Sequence, residues 1–292
     1  MPKKSFGNSG SDVTKPDKKD NSPYVYQREK INYDLKIGEL PWTNRQKQII
    51  SRFLDKKTKV LFLKGPAGTS KSMLSMYCGL QLLNQKRVSD LILIRSAVES
   101  ADSKLGYLPG TMEDKFNVYL QPFYEKFNEL LTPTCIQKLQ KDDRITMCPI
   151  NFARGLHFSV RFVCSDESQN LTTKEIFTLM TRLGPFCKTI ICGDPDQSDL
   201  PKGKSGFNVV YDLFDNAESQ DHGIYCETLT DEDIVRSELC KFIAGKFKVL
   251  NPPDQPKRVP ANSPPSPELG ACATGAALEW KPGGIVSDIV GD

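Results

Sequence analysis

Histidine is nearly absent from this chain, with only His157 and His222, and none of the nine cysteines forms a C-x-x-C pair. Protein-bound zinc needs three or four Cys, His or acidic ligands at defined spacing, so the composition argues against zinc chemistry. The cysteines are odd in number and scattered, several inside apolar strand-like runs, which reads as small core residues in a reducing compartment rather than a disulfide framework. No apolar run is long enough to cross a bilayer, and no apolar segment follows the charged amino terminus. The expectation is a soluble, cytoplasmic protein that does not engage a membrane. An excess of one charge is missing too: 39 basic residues face 36 acidic ones, for a net charge of +3. A polycationic coat for nucleic acid is excluded, and any such site must be local.

Large apolar residues are sparse at both ends. Residues 1–22 hold Phe6 and Val13 among Lys, Asp, Ser, Asn and Gly, and the stretch 251–292 carries Pro252, Pro253, Pro256, Pro260, Pro264, Pro265, Pro267 and Pro282. Such segments cannot bury a face and read as disordered tails. One folded domain is therefore expected over residues 23–250, with room for a sizeable core.

Within that span short apolar runs alternate with helical patterns: Val60-Leu61-Phe62-Leu63, Leu91-Ile92-Leu93-Ile94, Val160–Cys164 and Thr189-Ile190-Ile191-Cys192. Near-continuous apolarity in pieces this short suits parallel strands buried on both faces, so the fold class is α/β, a mostly parallel sheet wrapped by helices. A fifth strand is expected at Gly223–Leu229, then a helix from about Asp231 to Phe247 capped by Thr230 or Asp231. Residues 101–154 read as an insertion at the sheet's edge, with Pro122 interrupting a helical pattern.

The first run leads into Gly65-Pro66-Ala67-Gly68-Thr69-Ser70-Lys71-Ser72 and then a helical pattern. Strand, glycine-rich loop and helix in that order form a phosphate cradle: backbone N–H groups surround the phosphates, Lys71 reaches the β- and γ-phosphates, and the Ser72 hydroxyl ligates Mg²⁺. An ordinary glycine-rich turn is the plain alternative. Ser70 stands where the usual pattern has a second glycine. If that position needs positive φ, the side chain costs roughly 1–2 kcal/mol.

The strand 160–164 runs into Ser165-Asp166-Glu167-Ser168-Gln169-Asn170. An acidic residue at a neighbouring strand's carboxyl end sits opposite Mg²⁺, and a glutamate beside it can activate water. That gives Asp166 to the metal and Glu167 to the base, with a helix cap as the plain alternative. The next strand ends in Gly193-Asp194-Pro195-Asp196-Gln197, which puts the Gln197 amide at the carboxyl edge, where it can sense a γ-phosphate. Lys202-Gly203-Lys204, with Arg95 at its strand's end, supplies local positive charge for single-stranded RNA.

Six blocks in order, Gly65–Ser72, Arg95–Glu99, Lys104–Gly110, Asp166–Asn170, Thr181–Gly184 and Gly193–Pro201, resemble the PhoH-like proteins, phosphate-starvation-associated ATPases akin to the first RecA-like lobe of superfamily 1 helicases. The resemblance covers about residues 40–245. It implies a single-lobe P-loop NTPase that hydrolyses ATP with Mg²⁺, linked to RNA metabolism or phosphate starvation, and assembled as a homo-oligomer, with a hexamer favoured. It also implies that Gln46 reads adenine, where the plain alternative is an exposed helix residue, and that Arg236 acts as a finger on the phosphate of a neighbouring subunit, where the plain alternative is a surface salt bridge. Ser70 replaces the family's glycine, and Ser168 stands where alanine is usual. A nucleotide-dependent interaction module with little hydrolysis is the competing function.

Overall fold

The computed structural model describes residues 28–96 and 112–235, together with Leu239, Phe242 and Lys246. The expected tails, most of the second block and all of the third lie outside the described residues, as does Arg236.

Chain order is α1 (Asn44–Leu54), β1 (Val60–Lys64), α2 (Lys71–Asn84), β2 (Asp90–Arg95), α3 (Met112–Leu130), α4 (Pro133–Lys141), β3 (Ile145–Pro149), β4 (Arg161–Asp166), α5 (Thr173–Met180), β5 (Lys188–Gly193), α6 (Phe207–Phe214), α7 (Ala217–Asp221) and β6 (Ile224–Thr228). The strands form one sheet in the order β3-β2-β4-β5-β1-β6, with every pairing parallel. β1 thus lies between β5 and β6, and β4 between β2 and β5. The loop after β1 and the acidic end of β4 therefore emerge along one edge of the sheet.

Alternation along each strand feeds two cores. Leu61 and Leu63 of β1 join Phe53, Leu74 and Phe162 on one side. Phe62 joins Phe207 and Tyr211 on the other, and stacks on Phe214 with ring centroids 5.8 Å apart. α2 presses closely on the sheet, since a Cβ added to Gly79 would fall 2.5 Å from the Phe162 ring.

Three features depart from the sequence reading. The insertion contributes a strand: β3 pairs with β2 from Leu91↔Ile145 to Arg95↔Pro149. α3 continues through Pro122, where the interrupted pattern suggested a break. The segment after β6 turns helical later than Asp231: a single 3₁₀ turn, Asp231–Asp233, gives way to extended backbone at Ile234, while Leu239, Phe242 and Lys246 are helical as expected.

The buried cysteines make an alkaline prediction. Burial pushes the Cys187 thiol up to about 12 and the Cys148 thiol up to about 11 and raises Cys78, while a hydrogen bond with Cys192, and then burial, raises Cys164. Above the ordinary thiol pKa the unfolded chain releases protons that the folded chain retains. Stability is thus fully present below about pH 9 and falls as pH rises, by about 1.4 kcal/mol per unit for each thiol as buried as Cys187. Lys188 works the other way: burial lowers it to about 8, so between that value and its unfolded pKa it adds stability as pH rises. Several thiols outweigh one amine. The urea midpoint should drop between pH 8.5 and 10.5, and a constant midpoint would contradict this account.

Candidate functional site

The loop after β1 turns where only glycine fits: a Cβ on Gly65 would lie 2.9 Å from the Leu229 side chain and carbonyl. Gly68 has φ +87° and Ser70 φ +59°, so Ser70 occupies the left-handed region at the N-cap of α2, with no side-chain capping bond. The strain anticipated for a serine here is therefore present. Ser70→Gly should tighten nucleotide binding or raise turnover by up to about thirtyfold, the equivalent of roughly 2 kcal/mol. Side-by-side calorimetry and phosphate release on the two proteins measure it, and a loss of activity would make the hydroxyl itself a ligand.

Lys71 opens α2, and its Nζ donates to the carbonyls of Gly65 at 2.6 Å and Pro66 at 2.9 Å. Ser72 Oγ donates to Asp166 Oδ1 at 2.7 Å, so the first turn of α2 and the end of β4 meet through two hard oxygen atoms. Glu167 follows with φ +53°. Its Oε2 accepts from Gln169 Nε2 at 2.7 Å, and Arg95 Nη2 lies 3.8 Å from its Oε1.

Gln169 joins the two acidic strand ends. Buried beneath them, it accepts the Asp194 N–H on Oε1 at 3.0 Å while holding Glu167 with its amide nitrogen. Asp194 in turn accepts from Gln197 Nε2 at 2.9 Å. Burial raises the Asp194 carboxyl, and the nearby Lys71 charge opposes that rise.

A cleft of about 410 Å³ brings together Ala67, Gly68, Ser70, Lys71, Ser72, Asp166, Glu167 and Gln197. Its far wall includes Glu125, Lys126 and Glu129 of α3, residues with no sequence signal linking them to the loop. Val235 also lines it and donates its N–H to Gly68 O at 3.1 Å. Gln46 stands apart, fully buried. Its Nε2 donates to Thr69 O at 3.1 Å and its Oε1 accepts the Thr43 N–H at 2.9 Å. It is thus the N3 partner of a capping box that opens α1, not an exposed helix residue. Thr43-x-x-Gln46 is itself the sequence signature of that box. Gln169 and Asp194 are the polar residues that sequence reasoning left without a role.

The family model described as "PhoH-like protein" matches residues 40–248. The PhoH-like protein of Mycobacterium tuberculosis (strain ATCC 25618 / H37Rv) is 35% identical over 208 residues, 71% of this chain and 57% of that protein. The PhoH-like protein of Bacillus subtilis (strain 168) is 35% identical over 197 residues, 67% of this chain and 60% of that protein. Protein PhoH of Escherichia coli (strain K12) is 30% identical over 228 residues, 77% of this chain and 58% of that protein. The chain thus spans about three fifths of the length of these relatives. Among solved structures, the Pif1 helicase of Candida albicans is 16% identical with a TM-score of 0.35, covering 73% of this chain and 44% of that one. With the model spanning most of the chain and the glycine-rich loop and acidic strand ends lining one cleft, this chain belongs to the PhoH-like protein family.

Proposed function

We propose that the chain binds ATP with Mg²⁺ in the cleft beside α2 and hydrolyses it. The observation that carries this reading is the convergence of Lys71, the Ser72–Asp166 pair and Glu167 on that cleft. The donors suit Mg²⁺: a hydroxyl and a carboxylate from the protein, with no group of three or more His, Cys, Asp or Glu among the described residues that could cage a metal. Magnesium is commonly held by one or two protein oxygens plus phosphates and water. When bound it would neutralise charge developing on the phosphate oxygens.

The chain's own groups carry the rest. Lys71 leaves its two carbonyls for the β- and γ-phosphates. Glu167 takes a proton from the water that attacks the γ-phosphorus, the bond to the β-γ bridging oxygen breaks, and ADP and phosphate result. Gln197 reads the γ-phosphate from the end of β5. Gln46 orders the loop from behind at Thr69 and reads adenine with the amide hydrogen and lone pair that its bonds to Thr69 and Thr43 leave over. Arg236 stabilises the transferred charge. It does so on the triphosphate of a neighbouring subunit, where a cation supplied in trans closes the open side of a single-lobe site. Assembly into a ring of six copies belongs to this reading, and native mass spectrometry with ATP that finds only monomer removes it. The buried free thiols support a reducing compartment such as the cytoplasm.

The competing function, nucleotide binding without turnover, is favoured by one observation, the left-handed Ser70. Steady-state phosphate release against a Glu167→Gln control separates the two: release at the control level leaves a binding module.

RNA association rests on the exposed loop Lys202-Gly203-Lys204, turned by a bond from Lys204 N to Pro201 O at 2.9 Å. Few basic side chains displace few counterions, so binding should be weak with a shallow salt slope. Lys202→Glu with Lys204→Glu should lower oligouridylate affinity, and equal binding by anisotropy takes this loop out of the reading.

A further inference from the structure

The amino-terminal edge of the sheet holds a second cavity, of about 820 Å³. It lies between the starts of β1, β5 and β6, across the strands from the phosphate loop. Strands of five and six residues at ~3.3 Å per residue separate the two sites by roughly 15–20 Å. Nothing in the ATPase reading uses this end of the molecule.

Its lining is charged in one sense only. Lys56, Lys59, Arg87 and Lys188 contribute cations, and no Asp or Glu is among the residues that line it. Two of these cations are committed to the fold. Arg87 donates to Leu54 O, and Lys188 donates to Phe53 O and Asp55 O, fastening the end of α1. The other two stand exposed, and the stem of Lys59 lies along Gly223, where an added Cβ would sit 3.2 Å from its Cγ. The floor is apolar, with Val60, Met180, Leu183 and Ile224.

Phe186 lines the same cavity, 63% exposed and with φ +58°. A left-handed backbone is a genuine outlier for a bulky residue and persists only where its surroundings impose it. Here the turn is closed by Cys187 N to Gly184 O at 3.2 Å and tied down by Val160 N to Pro185 O at 2.9 Å. The fold therefore holds a strained residue that leaves an aromatic ring uncovered in the same cavity as two exposed lysines.

We propose that this cavity is a second binding site, for a nucleoside phosphate whose base stacks on Phe186 while its phosphate meets Lys56 and Lys59. An inorganic anion would leave the ring and floor unused, and an uncharged ring would leave the cations unpaired. Stacking on an exposed aromatic beside basic side chains is how single strands are held without regard to sequence. The same chemistry is offered by a free nucleotide and by a unit within a strand. The site stands independently of the hydrolysis reading, because neither Lys71 nor Glu167 lines it.

The test uses the full chain carrying Lys71→Ala, which removes the phosphate loop as a competitor. AMP is titrated by calorimetry and a short fluorescein-labelled oligouridylate by anisotropy. Phe186→Ala should weaken the bound probe about tenfold, and Phe186→Trp should preserve it. Lys56→Glu with Lys59→Glu should weaken it at least as much and flatten the salt dependence. Lys56, Lys59 and Phe186 are all exposed, and melting temperatures equal to that of the Lys71→Ala protein guard against unfolding. Binding of AMP alone that weakens in these variants identifies a free nucleotide as the occupant, and binding of the oligonucleotide that weakens in them identifies a strand. Affinities unchanged in both variants, or no binding of either probe, would overturn the proposal.

Discussion

Lys71→Ala should lose ATP binding by at least a hundredfold, so that calorimetry detects no heat at concentrations that saturate the parent. Charge-assisted hydrogen bonds to a triphosphate account for about 3 kcal/mol of that loss. In the free protein the same nitrogen closes the loop onto Gly65 and Pro66, so the variant also leaves two carbonyls to water and melts slightly earlier. Unchanged affinity would sink the assignment of this loop to phosphate. The variant also decides where Arg236 acts. Mixing Lys71→Ala subunits with Arg236→Ala subunits should restore some turnover, because the two defects lie on different sides of the shared interface. No recovery on mixing would move the arginine to its own subunit's triphosphate.

Glu167→Gln separates binding from chemistry. It should hold ATP as tightly as the parent while phosphate release falls about 10²–10⁴-fold, the usual contribution of a positioned general base. The amide can still accept from Gln169 Nε2, which now holds the carboxylate at 2.7 Å, so the shape of the site survives and only the proton acceptor is removed. Hydrolysis at the parent rate would put the base elsewhere.

The legible parts of this fold are those where one physical constraint dominates. Strands β1, β2, β4 and β5 are buried on both faces, so they announce themselves as apolar runs. Ser70 was readable because a phosphate loop demands positive φ at that position, and the chain pays for it there. β3 was not: Ile145–Pro149 is an edge strand only partly covered, and its mixed composition carries no period. The continuity of α3 through Pro122 was hidden because a proline signals a break in one dimension, whereas tertiary packing of Phe123 and Phe127 in the core decides it in three. Gln169 shows the opposite limit. Its neighbours Asp166 and Glu167 stood out by charge, but a neutral amide that bridges two strand ends becomes visible only when β4 and β5 lie side by side.

The docking of Lys71 on its own loop bears on selectivity among anions. An anion that takes the ammonium over fully must draw it away from two carbonyl oxygens, since only its third N–H is left over. A lone inorganic phosphate has one group with which to compete for it, whereas a triphosphate also engages the N–H groups along the loop and the first turn of α2. The lysine therefore acts as a threshold, already satisfied in the resting protein, that several simultaneous contacts cross more readily than one. Ordinary cellular phosphate should then displace ATP poorly, even though both offer the same charged group to the same nitrogen.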